Sequence, residues 1–478
     1  MDMNKLREAA SRIWNAETLP ALKTFVSRES LSTDFDPEWE KHGILNEVCR
    51  EAAAWGTRML PRGTYDVQQE PGRTPALIFS VPGTGLYAGR EEDTVFFYGH
   101  LDKQPPATGW SEGLGPFTPV VSDGKLYGRG CSDDGYSVYA ALTAIRALED
   151  AGIPHPRAVG LIETREESGS NDLEHYLKKN AARFGSPRLV CVLDSGAGNY
   201  EQLWLTSSLR GACAIDLNVR VLRQGMHSGT ASGVVPSSFD VLRILLDRIQ
   251  DPRTGAILDP AFNVEIPSNR MDDMKKTAEV LGDGFISEFP WAEGPNGSVQ
   301  SRCRGTEEAL IARCWKPTLS VTGAAGLPPL SMAGNSLRSD TTLRLSFRLP
   351  PTAKTENILP ALQKKLLTDP PFNAVVSIAG GDALPGWNAP SEADWFRSAC
   401  DESSKALWGK PAMRIGEGGS IPILNLFEAQ FPRAQFAVTG VLGPGSNAHN
   451  ADESLDLAYT EEFIAAVGYL AASIPEEA

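Results

Sequence analysis

Apolar and polar positions fall into two regimes along the chain. Up to about residue 205, short apolar runs alternate with helix-like periodicity. TPALIFSV, TVFFYGHL, AVGLIET and RLVCVLDS predict strands, and SVYAALTAIRALEDAG stands between the second and third of them. Val138, Ala141, Leu142, Ile145 and Leu148 share one face of that helix, and Gly152 stops it. Such alternation predicts an α/β fold with a mostly parallel sheet flanked by helices. The texture then changes. ACAIDLNVRVL and TTLRLSFRLP alternate strictly, the latter with Leu343, Leu345, Phe347 and Leu349 on one face. LSVTGAAG reads as a further strand, VVPSSFDVLRILLDRIQ as a helix entered through Pro236, and residues 251–317 as a long stretch punctuated by Gly and Pro. From about residue 385 the α/β character resumes and ends in the helix EEFIAAVGYLAASI. The expected domains are therefore 1–205 with 385–478, interrupted by an inserted α+β unit over 206–384.

Length supports that division, because 478 residues exceed one ordinary core. The net charge of -15 argues against nucleic acid or an anionic membrane as partner. No run of apolar residues approaches the ~20 needed to span a bilayer. MDMNKLREAASRIW lacks the apolar centre of a signal peptide and reads as an amphipathic helix. Seven scattered cysteines do not form a secreted disulfide framework, so the cytoplasm is the expected compartment.

Chemistry concentrates where strands end and helices begin. FFYGHLD closes a strand with His100 and Asp102, which point the same way if extended geometry persists. Glu163 through Glu167 and Asp194 close two more strands, GRGCSDDG sets Asp133 and Asp134 before the long helix, and GPGSNAHNADE supplies His449. Singly, these are ordinary helix caps and solvated loop residues. Jointly, they occupy the strand ends at which open α/β sheets bind ligands. Asp133, Glu167 and Asp194 carry three negative charges, with His100 and His449 as neutral ligands. Two divalent cations and one hydroxide would balance that set, which suits a paired-metal centre. Glu166 is left over beside it, placed as a general base.

The ordered segments GHLD, GRGCSDDG, REESGS, VLDSG, GMHSG, GEGGSIP and GSNAHNADE resemble the di-metal exopeptidase family of carnosinase, cytosolic dipeptidases, aminoacylase and acetylornithine deacetylase. The likeness runs from about residue 90 to the C-terminus and is nearest to the carnosinase and dipeptidase branch. It implies that Asp133 bridges two metals, with His100 and Asp194 on one and Glu167 and His449 on the other. It implies further that Asp102 orients His100 and that Glu166 is the general base. One imidazole plus carboxylates per ion suits zinc or manganese, with cobalt possible. His227 would stabilise the oxyanion in the neighbouring subunit of a homodimer formed through the inserted lid domain. Asn335, Arg348 and Ser420 fall at substrate-binding positions. The expected substrates are dipeptides or dipeptide-like amides, with N-acyl amino acids, as for a deacylase, as the alternative.

Three positions depart from the carnosinase-like pattern. Gly135 stands where lysine is usual, Gly416 where arginine is usual, and AGGDALPGW lacks the histidine that helps hold a substrate carboxylate. All three concern substrate holding rather than the metal ligands.

Overall fold

The computed structural model describes residues 1–421 and 423–476; Pro422, inside GEGGSIP, and the last two residues lie outside that description. The chain forms two compact units, Met1–Thr206 with Ala389–Ile415 and Ile423–Ala478, and Ser207–Asn388 with Gly416–Pro422. The short GEGGSIP stretch thus groups with the second unit, although the sequence reading placed it in the α/β portion.

The first unit is built on six strands in the order Thr64–Gln68, Ala76–Val81, Arg157–Glu163, Thr94–His100, Leu189–Val192 and Gln435–Val438. The four from Arg157–Glu163 onward run parallel, and the two at the other edge pair antiparallel. The result is the mixed, mostly parallel α/β sheet expected from the alternation. Val95, Phe96, Phe97 and Tyr98 are fully buried, as a central strand covered on both faces requires. At roughly 1.5–3 kcal/mol per large apolar side chain removed from water, such burial fixes the strand and the residues at its end. The chain leaves Thr94–His100 for the neighbour on one side and later fills the other side with Leu189–Val192. That reversal is the switch point at which the crevice beyond the strand ends binds ligands.

The helix Tyr136–Asp150 packs against Leu457–Ala472 and Met3–Ile13 as well as the central strand. It is buried nearly all round rather than on the one face that periodicity predicts. Ala140, Ala144 and Ala147 supply the extra contact surface, since alanine suits a helix–helix interface as well as solvent. Among the described residues, no helix is long and apolar enough to cross a membrane. All seven cysteines are free thiols.

The second unit is a four-stranded antiparallel sheet ordered Thr318–Ala325, Asp340–Leu349, Gly211–Arg220, Val375–Leu384. Cys213, Ile215, Leu217 and Val219 join Leu343, Leu345, Phe347 and Leu349 on one face. Helices Ser238–Asp247 and Ile358–Leu367 cover that face with Val241, Leu242, Leu245, Ile358, Leu362 and Leu366. The opposite face carries polar pairs such as Arg344 with Asp216. The Gly- and Pro-punctuated stretch holds helices that its periodicity hides, of which Ser268–Leu281 and Thr306–Trp315 are the two longest.

Candidate metal centre

Three neighbouring strand ends converge on one spot. His100 is the last residue of its strand and pairs in register with Glu163, the last residue of the next. Glu166 and Glu167 follow in a single 3-10 turn, and Asp194 lies just beyond Val192. Asp133 arrives from the loop before Tyr136–Asp150, and His449 from the loop before the last helix. His100, Asp133 and Asp194 form one group, and Asp133, Glu167 and His449 another, with the ligand atoms in each within 4.8 Å of one another. Asp133 belongs to both. Its Oδ1 lies 3.3 Å from His100 Nε2, and its Oδ2 lies 2.8 Å from His449 Nε2. Asp194 Oδ2 stands 3.9 Å from His100 Nε2, and Glu167 Oε1 stands 3.4 Å from His449 Nε2.

The residues around these five fix their orientation. His100 Nδ1 faces the main-chain oxygen of Asp102 at 3.0 Å, which leaves Nε2 free to ligate. The Asp102 carboxylate is 3.3 Å from the same nitrogen and also accepts the N–H groups of Glu166 and Glu167, at 3.1 and 3.0 Å. Two further residues matter: Gln104, which the sequence reading does not name, and Asp134, which it sets before the helix in the place of an ordinary cap. Gln104 donates its amide to Glu167 Oε2 at 2.6 Å, which directs Oε1 into the cluster. Asp134 is not a helix cap: its Oδ2 accepts the His100 N–H at 3.1 Å. Gly99 makes room for it, since a Cβ there would stand 2.0 Å from Ser137 Oγ and 2.7 Å from Asp134 Oδ2.

The electrostatics fit divalent cations. His100 Nε2 and Glu167 Oε1 are buried without a hydrogen-bond partner, a costly state that a metal ion would relieve. Burial and the neighbouring Asp133 and Glu167 push the Asp194 carboxyl up to about 7. Burial and the Asp194 charge hold Glu166 well above the usual carboxylate range, and burial with Asp133 raises Glu167. His449 is pushed up to about 10 by its hydrogen bonds to Asp133 and Glu167. Burial alone would lower the His100 imidazole, but Asp102 and Asp133 raise it well above its ordinary value. Asp133 runs the other way: although burial would raise it, its hydrogen bonds to His100 and His449 hold it below the usual carboxylate range. Three acids that resist ionising, beside imidazoles that attract protons, describe a site short of positive charge.

The substrate-side candidates lie on the second unit. His227 is exposed, precedes the short helix Ser228–Ala231, and accepts the Gly229 N–H on Nδ1 at 3.1 Å. Asn335 is its neighbour, its carbonyl accepting the Ser228 N–H at 2.9 Å. Arg348 and Ser420 also meet: Nη1 donates to Oγ at 3.1 Å, and that hydroxyl donates to the Arg210 carbonyl at 2.5 Å.

Two of the departures have a steric cause. A Cβ at Gly135 would lie 1.9 Å from Phe25 Cε1, so no side chain fits there. The buried ammonium of Lys103 lies 4.2 Å from the centre of the same Phe25 ring. A Cβ at Gly416 would lie 2.8 Å from both Cys314 Cβ and Ser208 Oγ, which leaves no space for an arginine stem.

The chain matches Peptidase family M20/M25/M40 over residues 96–474. It is 26% identical over 473 residues to the Cys-Gly metallodipeptidase dug1 of Schizosaccharomyces pombe, covering 96% of this chain and 95% of that one. It is 26% identical over 459 residues to the Beta-Ala-His dipeptidase of Homo sapiens, covering 91% and 86%. The fold superposes on the crystal structure of human carnosine dipeptidase 1 with a TM-score of 0.74 at 21% identity, covering 99% of each chain. A Sulfolobus solfataricus M20 metallo-carboxypeptidase gives the same TM-score at 22% identity, covering 96% and 100%. The matched stretch spans most of the chain and contains all five clustered ligand candidates, and the protein is accordingly a metallopeptidase of the M20/M25/M40 family.

Proposed function

We propose that the enzyme hydrolyses the amide bond of dipeptides and dipeptide-like substrates at a pair of divalent metal ions, zinc or manganese, with cobalt possible. Asp133 would bridge the pair, with His100 and Asp194 holding one ion and Glu167 and His449 the other. The observation that carries this reading is that Asp133 turns one oxygen to each of two histidine-containing groups. Such ions lower the pKa of a water and polarise the scissile carbonyl.

The protein's own groups do the rest. Glu166 adjoins the cluster as the carboxylate left over from the ligand set, which suits a base that takes a proton from the attacking water and returns it to the leaving amine. His227 would donate to the carbonyl oxygen as charge develops there, acting across a homodimer formed through the second unit, which would serve as a lid. Arg348, steadied by Ser420, would pair with the substrate carboxylate, with Asn335 beside His227. Free thiols throughout support a reducing compartment such as the cytoplasm.

A panel of dipeptides and N-acyl amino acids, offered at equal concentration, tests the substrate class. Dipeptides should be cleaved with the higher kcat/KM; preference for N-acyl amino acids would make the enzyme a deacylase. For the dimer, mixing inactive Glu166→Gln and His227→Ala subunits should restore part of the activity, because one site of each mixed dimer has neither defect. No recovery after demonstrated subunit exchange would return His227 to its own chain.

A further inference from the structure

Arg129 and Glu453 are both fully buried and meet at 2.7 Å, Nη1 to Oε2, although 324 residues separate them. Neither belongs to the ligand groups, yet between them they grip the loops that carry two ligands. Glu453 Oε1 accepts the Gly130 N–H at 3.0 Å, the Ser132 hydroxyl at 3.2 Å, and the N–H groups of Ser132 and Asp133 at 3.3 Å each. Arg129 donates Nη2 to the carbonyl of Asn450, the residue after His449, at 2.9 Å. Its Nε donates to the carbonyl of Pro105 at 3.0 Å, next to the Gln104 that holds Glu167.

The His449 loop needs such a restraint. Asn447, His449 and Asp452 have left-handed backbones at φ 53, 65 and 60°, a conformation that L-residues keep only where the surroundings impose it. Ser111 supplies a second grip, donating its N–H and hydroxyl to the Asp452 carboxylate at 2.8 and 2.5 Å. A buried ion pair alone is a poor stabiliser, since well-packed apolar side chains often serve as well. Apolar side chains cannot supply donors and acceptors to three main-chain segments at once, and that is what this pair does.

We propose that Arg129 and Glu453 are positioning residues that set the spacing between Asp133 and His449, and hence the affinity of the metal position those two share with Glu167. The proposal rests on the two-metal reading. Its test is calorimetric titration of chelator-stripped protein with zinc, alongside thermal melts. Arg129→Met/Glu453→Leu removes both charges together and leaves none unpaired. The double variant should melt below the wild-type temperature, because the Gly130, Ser132 and Asp133 N–H groups and the Pro105 and Asn450 carbonyls lose their partners. At temperatures where it is folded, the binding step abolished by His449→Ala should weaken roughly 10–100-fold, the range typical of lost supports behind a ligand. Wild-type affinity at both steps in the folded double variant would overturn the positioning role. Wild-type protein taking up fewer than two ions would overturn the two-metal reading itself, and the pair's role with it. If the double variant does not fold, Arg129→Lys carries the test. It keeps the charge beside Glu453 but loses the fork that reaches Asn450 and Pro105 together, so the same step should weaken. Unchanged affinity in that variant would overturn the proposal.

Discussion

Asp102 and His100 are joined by more than an imidazole–carboxylate contact. The His100 ring meets the Asp102 main-chain oxygen at 3.0 Å, with the carboxylate at 3.3 Å, and the same carboxylate anchors the N–H groups of Glu166 and Glu167. One residue therefore sets the tautomer of His100, a ligand candidate on one side of the cluster, and the backbone of Glu167, a candidate on the other.

Asp102→Asn should accordingly weaken both metal positions, by about 10–100-fold each, because an amide presents one acceptor where the carboxylate presents two. Competition with a metallochromic chelator measures both constants. A loss confined to the His100 side would show that the anchoring of Glu166 and Glu167 is immaterial.

Gly99→Ala should be destabilising by about 1–3 kcal/mol, as overpacking in a well-filled interior usually is. The added methyl collides with Ser137 Oγ, 2.0 Å from its position, and displaces the Asp134 carboxylate from the His100 N–H. Adding Ser137→Gly to the variant should recover part of the loss, read as the shift of the urea midpoint. Full stability of Gly99→Ala alone would contradict the packing described for this strand end.

Lys103 provides a pH signature. Its ammonium donates to the carbonyls of Phe25, Val26 and Arg28 at 3.0, 3.1 and 2.7 Å, and burial brings its pKa down to about 7. The unfolded chain holds that proton up to about pH 10.4. Between those values the unfolded state binds more protons than the native state, so stability rises with pH, by at most about 1.4 kcal/mol per unit. Below about pH 7 both states are protonated and the slope vanishes. Lys103→Met should lack this slope, so the stability of wild type relative to the variant should grow from pH 7 to pH 9. A constant difference over that range would contradict the shifted lysine.

Much of the cluster was legible because four of its five ligand candidates stand at punctuation points in the chain: His100, Glu167 and Asp194 at or just after a strand end, Asp133 before a helix start; His449 lies in a loop. Such placement is local and survives in one dimension. The supporting hydrogen bonds were not legible. Gln104 and Asp134 act on residues far away in the chain, and nothing in GHLDKQP or CSDDG distinguishes an amide that holds Glu167 from one facing water. The helix Ser268–Leu281 escaped notice for a different reason: its buried residues are Arg270, Met274 and Thr277, which give almost no apolar period. The helix Tyr136–Asp150 was placed correctly but read as one-sided, because its alanines are silent about burial.

The central claim is that Asp133 joins two metal positions with Glu166 as the base beside them. Metal analysis and dipeptide turnover, measured together on wild type and Glu166→Gln, test it most directly. Chelator-stripped wild type should be inactive and regain full activity at two equivalents of zinc or manganese. Glu166→Gln should bind the same two equivalents yet turn over at least a hundredfold more slowly, since proton transfer is worth about 10²–10⁴-fold. Full activity in metal-free wild type, or near-normal turnover in metal-loaded Glu166→Gln, would contradict the account.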